Sequence, residues 1–161
     1  MSIYMKADKI QGNVTTKGFE NWIALDSLTF GGVSVSLSEI VGKADNRVNN
    51  RPSFGEISIV KTTDQSSILL FEYANTQKVI PNVEIDFVST ATPPVVYERI
   101  RLTNVLVSSH SFEHHDGVDK TIEYYTLNYG TIERTYTPRS QGNITESPYI
   151  TGYNLPNAQK M

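Results

Sequence analysis

Cysteine is absent from the 161 residues. That excludes a disulfide scaffold, a thiolate zinc site and a cysteine nucleophile together, and it leaves the redox compartment open. Charge of one sign is also scarce. Fourteen Lys and Arg against seventeen Asp and Glu leave a formal charge of -3. Nucleic acid would call for a basic face and counterion release, and an anionic membrane surface for a polybasic run. Neither is present. No stretch approaches the ~20 apolar residues of a spanning helix. At the N-terminus, Lys6, Asp8 and Lys9 interrupt any apolar core that a secretory signal would need. The expectation is a chain made and folded in the cytoplasm, which leaves the cell, if it does, by a route that reads no N-terminal signal. The sequons Asn13-Val14-Thr15 and Asn143-Ile144-Thr145 then carry no meaning.

What is present is alternation with period two. Ile3, Met5 and Ala7 alternate with Tyr4, Lys6 and Asp8, the pattern of a half-buried strand. Asn21 to Gly31 reads as one strand, with Trp22, Ala24, Leu28 and Phe30 on one face and Ile23 and Leu25 on the other, both faces covered. Val33, Val35 and Leu37 alternate with serines, Ile57 and Ile59 with Glu56 and Ser58, and Val83, Ile85 and Phe87 with Glu84 and Asp86. Glu98 to Ser109 is a long strand with Arg99, Arg101 and Thr103 outward. Lys120–Tyr129 and Thr131–Thr137 follow, rich in the Thr and Tyr that suit pleated surfaces. Such a series of short strands between Gly, Pro, Asn and Asp turns predicts a mainly β fold, a sandwich or small closed barrel of about eight strands, in one domain over 1–161.

Three segments depart from the alternation. Residues 65–75 have helical spacing and good helix formers, with Asp64 placed to accept N–H bonds from the first turn. A single short helix cannot form a layer, so it is expected to plug the barrel. Residues 38–54 form a long polar loop, of a length that in compact domains is usually functional or disordered. The loosely patterned 139–161 carries Tyr149-Ile150 and Tyr153-Asn154-Leu155, which could dock as a short strand.

The best concentration of reactive groups is His110-Ser111-Phe112-Glu113-His114-His115-Asp116. Imidazoles with carboxylates suit zinc or nickel. Adjacent His114 and His115 on an extended chain point to opposite sides, however, and no distant histidine or cysteine completes a set. The segment reads as a polar hairpin loop closed by Asp116-Gly117. No Gly-x-Ser-x-Gly elbow supports Ser108, Ser109 or His110 as hydrolytic machinery. The Gly31-Gly32 pair reads as a β-turn, and Glu84 with Asp86 as a solvated strand face. No catalytic residue, metal ligand or cofactor is expected.

Six blocks, in order and with matching spacing up to about Gln141, resemble the haemolysin-coregulated protein family of the bacterial type VI secretion system. They are Ile10-Gln11-Gly12 with Lys17-Gly18; Trp22 to Gly31; Lys61-Thr62-Thr63-Asp64-Gln65-Ser66-Ser67; Ile80 to Ile85; Leu102-Thr103-Asn104-Val105-Leu106-Val107-Ser108-Ser109; and Thr121 to Pro138. The resemblance implies a structural protein, not an enzyme. It implies a small β-barrel with one helix whose six-membered rings stack into a tube. The tube is propelled by a contractile sheath beneath a spike-tip protein, carries effector proteins in its lumen and is secreted. It also implies that the long loop engages the adjacent ring; within it Asp45, Asn46, Arg47, Asn49, Asn50 and Arg51 offer hydrogen-bonding groups and Val48 a small apolar contact for such a surface. A phage tail tube-like protein and a small β-barrel hydrolase are the competing readings.

Overall fold

The computed structural model of the chain describes residues 1–35, 51–139 and 146–161. In chain order its elements are β1 (Ser2–Ala7), β2 (Ile23–Leu25), β3 (Ser27–Phe30), β4 (Val33–Ser34), β5 (Ser53–Phe54), β6 (Ile57–Thr62), α1 (Ser67–Thr76), β7 (Ile80–Val88), β8 (Val96–His114), β9 (Thr121–Asn128), β10 (Thr131–Tyr136), β11 (Tyr149–Asn154) and β12 (Gln159–Lys160). Every strand pairing is antiparallel.

β8 organises the molecule because it is long enough to serve two sheets. Its first half lies between β7 and β10, in a sheet ordered β12-β11-β10-β8-β7-β1-β2. Its second half, from Leu106, pairs with β9, and β9 continues to β6 and β3. The change of partner falls beside Asn104, whose φ of 51° is left-handed. Asparagine tolerates that region where a β-branched residue does not. Asn104 is left out of the pairing with β7, between Thr103 opposite Asn82 and Val105 opposite Ile80. Past this point the strand hands its second half to the other sheet.

The closed barrel expected from the strand count is not what forms. The pairings end at β2 on one side and β3 on the other, and no strand ladder among the described residues joins these ends. They are consecutive in the chain, separated only by Asp26, whose N–H donates to the Val60 carbonyl. Two open antiparallel sheets sharing β8 result. The predicted single strand over Asn21–Gly31 is therefore two, and the break shifts the alternation: Ile23 and Leu25 are buried, Ala24 is exposed, and Leu28 and Phe30 are half-buried.

Between the sheets lies one apolar cluster, which includes Met5, Ile23, Ile59, Ile85, Leu102 and Leu127. Helix α1 closes its side with Leu70 and Tyr73, while Ile68 and Phe71 point away. The tail docks as well. β11 pairs with β10 along its whole length, and β12 folds back on Tyr153 and Asn154.

Gly31 and Gly32 are not a turn. The Gly31 N–H donates to the Glu56 carbonyl, and the Gly55 N–H to the Gly32 carbonyl. These bonds carry the β3–β6 pairing into the small β4–β5 ribbon. The backbones approach so closely that a Cβ on Gly55 would stand 2.7 Å from the Gly31 Cα.

Candidate assembly surface

The long loop re-enters the described structure at Arg51. Its Nη2 donates to the carbonyls of Leu155 and Pro156, both at 3.2 Å, in the bend between β11 and β12. Three residues on, the Phe54 ring stacks on Tyr153 with centroids 4.8 Å apart. The base of the loop is therefore fastened to the C-terminal hairpin. Asp45, Asn46, Arg47, Val48, Asn49 and Asn50 lie outside the described residues. Phe30, Val33, Phe54, Ile132 and Tyr153 line an apolar cleft of about 370 Å³ at this junction.

Elsewhere in the molecule, α1 is held down by charge. Lys61 follows Ile57 and Ile59 on the inner face of β6 and is fully buried. Its Nζ donates to Glu123 Oε2 at 3.1 Å, to Asp64 Oδ1 at 3.0 Å, to Ser67 Oγ at 3.0 Å and to the Thr62 carbonyl at 3.0 Å. Ser67, the first helical residue, donates to Glu123 Oε2 at 2.6 Å and accepts the Asp64 N–H. Tyr125 donates to Glu123 Oε1 at 2.8 Å. Burial pushes the Glu123 carboxyl up, but the bonds from Ser67, Tyr125 and Lys61 and the nearby ammonium outweigh it, leaving the pKa below the ordinary value. The same burial and the neighbouring carboxylate push the Tyr125 phenol far above its usual range. Asp64 does not bond the first turn as expected: the cap position is Ser66, without a side-chain cap bond, and Asp64 Oδ1 accepts the Ser66 N–H at 2.8 Å and the Ser66 hydroxyl just ahead of the helix. Two neighbouring strands of the second sheet, β6 and β9, and the entry to the helix share one buried polar knot.

The three histidines separate. His110 belongs to β8, not to a hairpin loop. It is almost buried beneath α1, its ring stacked on Tyr125 at 4.6 Å with the edge of Phe71 at 5.6 Å. Its Nε2 lies 3.6 Å from Glu123 Oε1 and has no hydrogen-bond partner among the described residues. β8 continues to His114, which is exposed, as is His115. Among the described residues no group of three potential ligands is placed to hold a metal ion.

Glu84 and Asp86 also differ from expectation. Asp86 is fully buried and gripped by Arg99 through two bonds of 2.6 and 2.7 Å. Arg101 bridges Glu84 at 3.0 Å and Glu133 at 3.3 Å. The registers Asp86–Arg99, Glu84–Arg101 and Arg101–Glu133 place these pairs directly across β7, β8 and β10. The face is a bonded ladder rather than a row of free carboxylates, which leaves no pair of acids open for acid–base work.

An open β fold with one helix clamped to its side is shared with solved type VI secretion proteins. One, described as the structure of a type six secretion system protein, has a TM-score of 0.90 at 20% identity, covering 99% of both chains. Hcp1 from Salmonella typhimurium gives 0.77 at 22% identity, over 99% of this chain and 98% of that one. A type VI secretion system effector from Yersinia pestis gives 0.73 at 16% identity, over 94% and 98%. The family described as "Type VI secretion system effector, Hcp" matches residues 4–136, and the chain belongs to that family. No match to a curated protein was found. The family is a structural one of the secretion system, and among the described residues no helix is long and apolar enough to cross a membrane.

Proposed function

We propose that this chain is the subunit of the type VI inner tube, forming rings of about six copies that stack and hold effector proteins in the lumen. The observation that carries the reading is the family match over residues 4–136, on a fold shared from end to end with a type VI secretion protein. The architecture supports it. A sheet with open edges at β2 and β12 invites pairing unless another chain covers it. A cyclic ring covers different surfaces on its two sides with one repeated contact. The spike tip, the contractile sheath and the effectors are the partners that follow, and release through the apparatus is the route out of the cell.

Stacking of ring on ring is assigned in this reading to the loop at 45–51. Arg51 supports it by tying the base of the loop to the C-terminal hairpin, so that the residues before it start from a fixed point. Light scattering and negative-stain images of the purified 18.0 kDa chain test the proposal. The expected particle is a ring of about six subunits with a central hole. A monomer at every concentration, without rings, would overturn it.

A further inference from the structure

The cleft of about 370 Å³ beside the loop base has walls from two parts of the chain. One wall is a face of the first sheet. Ile132 of β10, Tyr153 of β11 and Lys160 of β12 stand opposite one another in a single row, so their side chains share that face. Arg134 and Thr151, two residues along their strands, stand opposite each other on the same side. Phe30, Val33 and Phe54 bring the second wall, and the Phe54 ring stacks on Tyr153. Phe30, Phe54 and Tyr153 are half-buried and Val33 is 53% exposed, so the apolar walls are reached from solvent. Concave apolar spaces of roughly 300–1,000 Å³ with a few polar groups are the usual form of a small-ligand site.

The charged groups at this cleft are of one sign. Among the described residues its lining holds Arg134 and Lys160 and no carboxylate. Arg134 is already answered, because Glu98 accepts from its Nε and Nη2. Lys160 has no ion-pair partner among the described residues. Nor is it on a loose tail. It pairs with Tyr153, the next residue's N–H donates to the Gly152 carbonyl at 3.0 Å, and Arg51 grips the bend before β12. The lysine that brings the charge is thus part of the sheet, and its alkyl stem lines the cleft. Beside an apolar wall the effective dielectric is lower than in bulk water, so an anion seated there is attracted more strongly than one in free solution.

We propose that this cleft binds a small amphiphilic carboxylate. Its alkyl chain lies between the wall of Phe30, Val33 and Phe54 and the wall of Ile132 and Tyr153, and its carboxylate meets the Lys160 ammonium. The Thr151 hydroxyl, on the same face as Lys160, is a second donor. A neutral chain would fill the same walls, but only an acid answers the charge that the lining leaves unpaired. Neither ring formation nor stacking is needed for this binding, so its failure leaves the tube reading standing, and the reverse holds.

Octanoate and octanol share a chain and differ in charge, and each is titrated into the full chain by isothermal calorimetry. Octanoate is expected to bind at one site per subunit. Lys160→Met keeps the stem and removes the charge. It should weaken octanoate about threefold, the worth of one exposed ion pair, and leave octanol unchanged. Val33→Trp puts a ring into the mouth of the cleft and should abolish binding of both probes. Lys160 and Val33 are exposed, so both variants are expected to melt near the parent temperature. Absence of octanoate binding to the parent chain would overturn the proposal. So would a Lys160→Met variant that changes both probes alike or neither, or octanoate binding that survives Val33→Trp.

Discussion

The ammonium of Lys61 is shut away from solvent with two carboxylates, so its worth is set by what surrounds it. Removing one partner of a buried pair leaves a charge with neither water nor counterion, and typically costs about 3–5 kcal/mol. Lys61→Met is expected to lower unfolding free energy in urea by about that amount, because Glu123 is left buried. Lys61→Met with Glu123→Leu should cost less than Lys61→Met alone, since the more deeply buried of the two carboxylates goes with its partner and only Asp64 is left without the ammonium; a larger loss in the double variant would refute the pairing. Acid gives the second reading of the same knot. The folded chain holds Glu123 below its ordinary value of 4.5, so the stability it contributes is present above that pH and is lost as pH falls through the folded pKa. Glu123→Gln should therefore show a shallower fall in stability below about pH 4.5 than the parent chain. Asn104 supplies a third test. Its left-handed φ suits Asn or Gly, so Asn104→Val is expected to cost about 1–3 kcal/mol and Asn104→Gly much less, measured by thermal unfolding.

At the scale of elements, α1 divides cleanly. Leu70 is fully buried against the core, and Leu70→Ala should cost about 2–5 kcal/mol. Ile68→Ala, two residues away on the outer face, should fall within about 0.5 kcal/mol of the parent by the same denaturation curve. Existence and type of the elements were legible from periodicity: the helix, β1, β7, β9 and β10 lie close to where alternation or 3.6-residue spacing puts them. Which way the helix faces was not, because it is apolar on both sides and spacing alone cannot choose between Ile68–Phe71 and Leu70–Tyr73. Nor was the break at Asp26, which depends on a backbone bond to Val60 far along the chain. The buried knot did leave a trace. Ile57, Ile59 and Lys61 keep one phase, as do Glu123, Tyr125 and Leu127. A lysine and a glutamate on the apolar phase of two strands are the mark of a buried pair. His110 was misread because Ser111 to His114 look like loop, although β8 carries straight through them.

At the scale of the whole molecule, closure was the feature that strand counting could not decide. Eight or more short strands satisfy a barrel and an open pair of sheets equally well, and only the pairing at the ends distinguishes them. An open sheet leaves edges that the ring proposed above would cover with another copy. The loop at 38–54 fits that proposal. Among its candidate contact residues, Asp45, Asn46, Asn49 and Asn50 offer polar groups and Arg47 a charge, the composition of a wet, modest contact that gains strength by repetition round a ring. Closure entropy grows slowly with length, so shortening such a loop changes the stability of its own subunit little. Replacing residues 38–50 by a Gly-Ser turn leaves Arg51, Ser53 and Phe54 in place, and with them the fastening to the C-terminal hairpin. The shortened chain is expected to melt near the parent temperature and to give single rings by light scattering. In micrographs it should fail to stack them, and in cells it should not be released into the medium. If the shortened chain forms tubes as long as the parent's, the loop is an insertion without a part in stacking, and the contact between rings lies elsewhere on the subunit.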